Sequence, residues 1–227
     1  MHYLRGNPYF KGVIGEAHYF DSWINYPKGP SWYMTKMPEV HHYHKVYEKT
    51  PSYMTLKKTP ARIFNFDHKM KLITILCDPV KRALSHFLHV SANDIHTVVG
   101  GKRRQITADK TPDETLIEVL KSIFPQYIVD YLETEFDYPE ADEEVREALY
   151  KYLDANDDRK PANFVTRGVY AYHIKRWQKY FPPEQLLFIN GRDLMHNPGK
   201  SMMEIQKFIG VAPVLNETNF WLNQVSL

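Results

Sequence analysis

The sequence predicts an α/β fold in which a parallel sheet is covered on both faces by helices. Three short runs, "KVYEK" (Lys45–Lys49), "LITILC" (Leu72–Cys77) and "QLLFIN" (Gln185–Asn190), have strand length. Each stops at turn or helix-start residues. The segments between and after them repeat apolar residues at helical spacing. Strands that alternate with helices bury both faces of a parallel sheet.

Taken in order, the first run ends at Lys49 and is broken by Thr50-Pro51. The second stops at Cys77-Asp78-Pro79, and a basic segment takes over with Arg82 and Ser85 one helical turn apart. Ligands of parallel sheets sit at the carboxyl ends of the strands. The backbone N–H groups of a helix start just after Pro79 add positive potential for an anion. Further on, "GVYAYHIKRWQKYF" places Tyr170, His173 and Trp177 on one face. "PGKSMMEIQKFIG" opens with Pro198, stripes Met202, Ile205 and Ile209, and ends at Gly210.

The 227 residues, 43% hydrophobic and 14% aromatic, suffice for one domain with an elaboration. No apolar run approaches the roughly 20 residues of a membrane span, and "MHYLRGNPYF" lacks a signal-peptide layout. A single cysteine excludes an internal disulfide framework and a Cys-based zinc site. "HHYH" (His41–His44) has no second cluster at metal-ligand spacing and reads as a solvated loop. Charge is uneven: residues 1–108 carry 16 basic and 7 acidic side chains, residues 109–158 carry 4 and 16, and residues 159–227 carry 9 and 4. The basic blocks suit an anionic partner. The acidic stretch, about 91–163, reads as an insertion with two helices, "TPDETLIEVLKSIF" and "YPEADEEVREALYKYL". It is either a solvated elaboration or a lid over a basic cleft.

Three motifs carry chemistry. In "GEAHYFD", Glu16 and His18 share one side of an extended segment. There a carboxylate can accept a proton while its neighbour orients it or stabilises charge. Alone, such a pair is a common surface pattern. In "YEKTPSY", Lys49 at a strand's carboxyl end can present a point charge to phosphate or sulfate. In the 77–85 stretch, Ser85 can donate to a phosphate oxygen and Arg82 can pair with one in bidentate fashion. Cys77 stands where a cation would help.

The order GEAHYFD, GPSWYMTKMP, YEKTPSYM, PARIF, KLITILCDPVKRALSHF, GVYAYHIKRWQKYFP, LLFINGRDLMHNP, EIQKFIGV and NETNFWLN resembles the heparan sulfate sulfotransferases, nearest to the glucosaminyl 3-O-sulfotransferases. The resemblance covers residues 7–90 and 164–223. It implies a P-loop-like α/β sulfotransferase fold, a central parallel sheet flanked by helices, in a single domain spanning 1–227. It also implies sulfuryl transfer from 3′-phosphoadenosine 5′-phosphosulfate (PAPS) to a glucosamine 3-hydroxyl of heparan sulfate, with no metal and no nucleic acid involved. By position, Glu16 resembles the general base, and Lys49 a lysine beside the transferring sulfuryl group. His18 and Asp21 resemble residues that shape the acceptor site. Ser85 resembles the serine that binds the donor's 3′-phosphate, with Arg82 and position 77 beside it. Family members work in the Golgi lumen on a membrane anchor that this sequence does not include.

Some features depart from the family. Its phosphosulfate-binding loop and first strand would lie upstream of "NPYF", and its Cys-containing hairpin and basic nucleotide-closing loop would follow "NFWLN". The sequence is therefore expected to be a partial domain with weakened donor binding. The 3-O members carry Arg where Cys77 stands. That substitution and His89 resemble the sulfotransferase domain of the N-deacetylase/N-sulfotransferases, whereas His18, Asp21 and "KTPSY" resemble the 3-O branch. An inactive relative that only holds heparan sulfate is the alternative. The absence of G-x-x-x-x-G-K-[ST] argues against a nucleotide kinase. "NET" at Asn216 fits an N-glycosylation acceptor.

Overall fold

The structure, a computed structural model, describes residues 3–92, 97–99, 102–104, 114, 121, 143–155 and 163–223. Along the chain run β1 (Phe10–Gly12), α1 (Gly29–Met34), β2 (Lys45–Tyr47), α2 (Thr59–Phe66), β3 (Leu72–Leu76), α3 (Pro79–Ala92), β4 (Thr97–Val99) and β5 (Lys102–Arg104). They are followed by α4 (Glu143–Ala155), α5 (Asn163–Thr166), α6 (Tyr170–Trp177), β6 (Leu186–Asn190), α7 (Gly191–His196) and α8 (Pro198–Ile209). The chain divides into two compact units, residues 1–77 with 173–227, and residues 78–172.

In the first unit the strands are parallel, as the alternation of strands and helices predicts. β1 pairs with β2, Phe10 opposite Lys45. β3 pairs with β6, from Leu72 opposite Leu186 to Leu76 opposite Asn190. Among the described residues these are two separate pairs rather than one continuous sheet. All three predicted strands form, each trimmed where turn chemistry begins: β2 stops at Tyr47, two residues before Lys49. β1 was not predicted, because "FKG" offers a single large apolar residue and no alternation.

α8 forms as its punctuation dictates. The Asn197 side chain caps it by accepting from the Lys200 N–H at 3.2 Å, Pro198 opens it, and Gly210 closes it in the left-handed conformation at φ +82°. Its apolar stripe, Met202 and Ile205, packs with Ile189 of β6 and with Leu215. Gln206 is fully buried in the same helix. Its amide nitrogen donates to the Met202 and Leu215 carbonyls at 2.9 and 2.6 Å. Its carbonyl oxygen accepts from the Leu215 N–H and from Asn7 Nδ2, both at 2.8 Å. The one buried amide is thereby satisfied while tying both flanking segments to the helix.

Gly199 marks the tightest approach: a Cβ there would lie 2.3 Å from Cα and 2.6 Å from N of Glu217. Backbone cannot yield as a side-chain tip can. Gly199→Ala is therefore expected to lose about 1–3 kcal/mol of stability, read in urea as a lower midpoint at unchanged slope.

The second core of this unit gathers Ala17, Tyr19, Phe20, Tyr33, Ile63, Trp177 and Phe181. Tyr19 stacks on Tyr33 with centroids 4.6 Å apart, and Phe20 meets Tyr33, Tyr53 and Phe66 edge-on. This aromatic cluster fixes the segment that follows β1.

In the second unit, the "YPEADEEVREALYKYL" helix is present as α4. The Tyr172 hydroxyl donates to Asp154 Oδ1 at its end, at 2.5 Å. The "TPDETLIEVLKSIF" helix lies outside the described residues except for Glu114 and Lys121. Ahead of the two expected helices the same stretch holds a pair of strands that was not expected. β4 and β5 form an antiparallel hairpin, with Val99 opposite Lys102.

Candidate active site

Just after β1 the chain alternates between core and surface. Ala17, Tyr19 and Phe20 are buried, whereas Glu16 and His18 are exposed. An extended strand was expected to bring Glu16 and His18 to one side. They do meet, His18 Nε2 lying 3.2 Å from Glu16 Oε2, but for a different reason. His18 sits at φ +47°, in the left-handed region that residues other than glycine seldom occupy. Such a conformation costs about 1–3 kcal/mol and persists only where neighbours over-determine it.

Those neighbours come from "KTPSY". The His18 N–H donates to Thr50 Oγ1 at 3.4 Å. The Tyr19 and Phe20 N–H groups donate to the Tyr53 hydroxyl at 3.1 and 3.3 Å. Ser52 Oγ donates to Asp21 Oδ2 at 2.5 Å, and that same oxygen lies 2.7 Å from His18 Nδ1. Lys49 Nζ pairs with Glu16 Oε1. Glu16, His18, Asp21 and Lys49, singled out in the sequence, thus form one array: Lys49–Glu16–His18–Asp21–Ser52. The sequence reading gave Thr50, Ser52 and Tyr53 no individual roles. Contacts across about thirty residues leave no local pattern, and a hydroxyl-rich turn after a strand was the only hint.

Glu48 lies half-buried beside this array, and burial pushes its carboxyl up. The hydroxyls of Tyr53, Thr50 and Tyr33 and the Ala17 amide face it. Of these, the Thr50 hydroxyl donates in regular geometry, at 3.3 Å to Oε2, while Oε1 has no partner in regular geometry among the described residues. The looser approaches are therefore treated as proximity rather than as full hydrogen bonds.

His18 is raised above its ordinary 6.5, chiefly by the hydrogen bond to Asp21. Burial opposes this as the next largest effect, and the charges of Asp21 and Glu16 and the Glu16 hydrogen bond add to the rise. A raised folded value means that the stabilisation from the charged imidazole is fully present below 6.5. It is lost as pH rises through the folded value. Asp21→Asn removes the largest cause and is expected to bring His18 back toward 6.5, as followed by NMR titration of the ring.

A cavity of about 430 Å³ opens beside Glu16, lined by Gly12, Val13 and Ile14 on one side and by Thr35–Pro38 on the other.

The remaining sequence candidates lie around the end of β3 and on α3. Cys77 follows β3 and is exposed, with Sγ where a Cβ on Gly191 would approach to 2.6 Å. In the second unit, Arg82 is half-buried and Ser85 exposed, one turn apart on α3. The Arg82 guanidinium lies over Gly168. The amides of this helix start were expected to face an anion. Instead Asp78 Oδ1 accepts from the Lys81 N–H at 2.8 Å, so a carboxylate caps the end and competes with an external anion. Arg82 and Ser85 themselves lie on the α3 helix beyond that capped start.

A carboxylate, an ammonium and an imidazole thus gather on the segments that follow the two parallel strands β1 and β2. The sulfotransferase domain family matches residues 1–223, and the chain belongs to that family. It is 27% identical over 224 residues to heparan sulfate glucosamine 3-O-sulfotransferase 3B1 of Homo sapiens, covering 99% of this chain and 45% of that protein. It is 28% identical over 208 residues to heparan sulfate glucosamine 3-O-sulfotransferase 5 of Mus musculus, covering 92% and 48%. The chain thus spans about half the length of the curated relatives it matches. A crystal structure of a sulfotransferase from Alicyclobacillus acidocaldarius matches the fold with a TM-score of 0.60 at 18% identity, over 95% of this chain and 76% of that one. No helix among the described residues is long and apolar enough to cross a membrane.

Proposed function

We propose that this chain carries the acceptor side of a sulfotransferase that moves a sulfuryl group to a glucosamine 3-hydroxyl of heparan sulfate. The observation that carries the reading is the Lys49–Glu16–His18–Asp21 array beside the cavity, in a chain of the sulfotransferase family. PAPS, when bound, supplies the sulfuryl group. Glu16 accepts the proton of the acceptor hydroxyl as that oxygen forms its bond to sulfur. Lys49 places positive charge where the bond from sulfur to the donor's phosphate oxygen breaks. His18, bracketed by two carboxylates, holds Glu16 in place and stays cationic to a higher pH than a free imidazole.

The residues present fit part of such a donor. Ser85 offers an exposed hydroxyl and Arg82 a guanidinium one turn earlier, a pairing suited to a phosphate dianion. Cys77 brings no charge to its position. The basic block at residues 1–108 suits a sulfated polysaccharide. A Golgi-lumenal setting follows from the same reading, and with it an N-glycan at Asn216, whose Oδ1 already accepts from the Thr218 N–H and hydroxyl at 2.9 and 2.6 Å.

The test is incubation of the chain, and of its product extended by any upstream coding sequence, with PAPS labelled in the sulfuryl group and heparan sulfate. Label in the polysaccharide is the expected result. Polysaccharide binding without label, together with no calorimetric binding of adenosine 3′,5′-bisphosphate by either form, would overturn the enzyme reading in favour of a binding protein.

A further inference from the structure

The array depends on a backbone turn that its own side chains do not make. Glu16, His18 and Asp21 hang from a segment with His18 in the left-handed conformation. Three successive N–H groups of that segment, those of residues 18, 19 and 20, are held by side chains from "TPSY". Tyr19 and Phe20 are buried, so their amides need partners inside the protein. Both use the same atom, the Tyr53 hydroxyl oxygen. A hydroxyl that accepts twice directs its single proton elsewhere, and the Glu48 carboxylate lies near Tyr53. The ring, meanwhile, is fixed edge-on against Phe20 with centroids 5.6 Å apart. The aromatic part of Tyr53 therefore packs, and the hydroxyl organises backbone.

We propose that Tyr53 is a positioning residue of this site: its hydroxyl, by accepting the Tyr19 and Phe20 amides, holds the left-handed turn that sets His18 between Glu16 and Asp21. Thr50, which accepts the His18 amide, assists at the same turn. Only the kinetic consequence rests on the sulfuryl-transfer reading; the positioning itself is a statement about geometry. Glu16 and Asp21 are five residues apart, and a rotation of the peptides on either side of His18 would separate its ring from one or both carboxylates.

Tyr53→Phe keeps the ring and removes the hydroxyl, and isotope-labelled full chain reports the result by NMR. The Tyr19 and Phe20 amides are expected to exchange about tenfold faster or more, with the amides of the β3–β6 pair unchanged. His18 is expected to titrate closer to 6.5 than in the unaltered chain, because its contact with Asp21 is no longer enforced. Sulfate transfer should lose about 10- to 100-fold in kcat, with the KM for donor little changed.

A folded Tyr53→Phe protein with unaltered His18 titration and unaltered exchange at both amides overturns the proposal. A hydroxyl that merely stabilised the fold would lower the unfolding midpoint and leave the His18 titration in place, which also counts against it. If Tyr53→Phe does not fold, Thr50→Val gives the decision. It should move His18 in the same direction by a smaller amount, and no movement contradicts the proposal. Should the unaltered chain transfer no sulfate, the sulfotransferase reading fails by itself, while titration and exchange still decide whether Tyr53 positions the array.

Discussion

Glu16→Gln is expected to abolish most sulfuryl transfer, by about 10²–10⁴-fold, the usual share of a positioned general base. The amide is nearly isosteric and still accepts a hydrogen bond, but it cannot take the acceptor's proton. The fold should tolerate the change. The Glu16 side chain is 33% exposed, and its loop is held by the buried Ala17, Tyr19 and Phe20 together with the "TPSY" hydroxyls. Loss of the Glu16 charge also removes one of the causes that raise His18, though not the largest. The variant should therefore titrate slightly lower at His18 while keeping its unfolding midpoint. A parallel fall in stability and rate would instead assign Glu16 a packing role.

Lys49→Met should lower the rate by about 10²–10³-fold, as removal of one charge-stabilising donor does elsewhere. Methionine keeps the apolar stem and removes the cation. In the structure Lys49 pairs with Glu16, with 45% of the lysine side chain exposed. A pair that open to water contributes about 0–1 kcal/mol to stability. The prediction is therefore lopsided: a large kinetic loss with a barely altered urea midpoint. Arginine at this position would keep the charge but spread it over a plane, and only partial recovery is expected.

Much of the fold was legible because several local signals agreed. In α8, the Asn197 cap, Pro198 at the start, the Met202–Ile205 stripe and the closing Gly210 all point to one helix. The β3 and β6 strands were equally plain as strand-length apolar runs and they pair in parallel, though among their residues only Ile189 is fully buried and Ile75 and Phe188 are exposed. β1 was not legible, for three residues with one large apolar side chain carry no period. The hairpin of β4 and β5 was not legible as strands because "TVV" and "KRR" are only three residues each and carry no period.

The site divides in the same way. The placing of Lys49 near a strand end could be read, because position along a strand is a local property. Glu16 and His18 were expected on one side of an extended segment, and they meet through a backbone that is not extended. The left-handed backbone at His18 could not be read, for nothing in "EAHYF" requests it. It is imposed by Tyr53 and Thr50 from more than thirty residues away. Asp78 shows the opposite case. Its capping of Lys81 was available from its place one residue before Pro79, yet the helix start had been assigned to an external anion.

The most direct test of the central claim is to locate the transferred group. After reaction with PAPS labelled in the sulfuryl group, the heparan sulfate is cut to disaccharides and the labelled position is assigned. The account predicts label on the glucosamine 3-oxygen, lost in Glu16→Gln. Label on the glucosamine nitrogen or on another hydroxyl, or equal labelling by the Glu16→Gln protein, would contradict it.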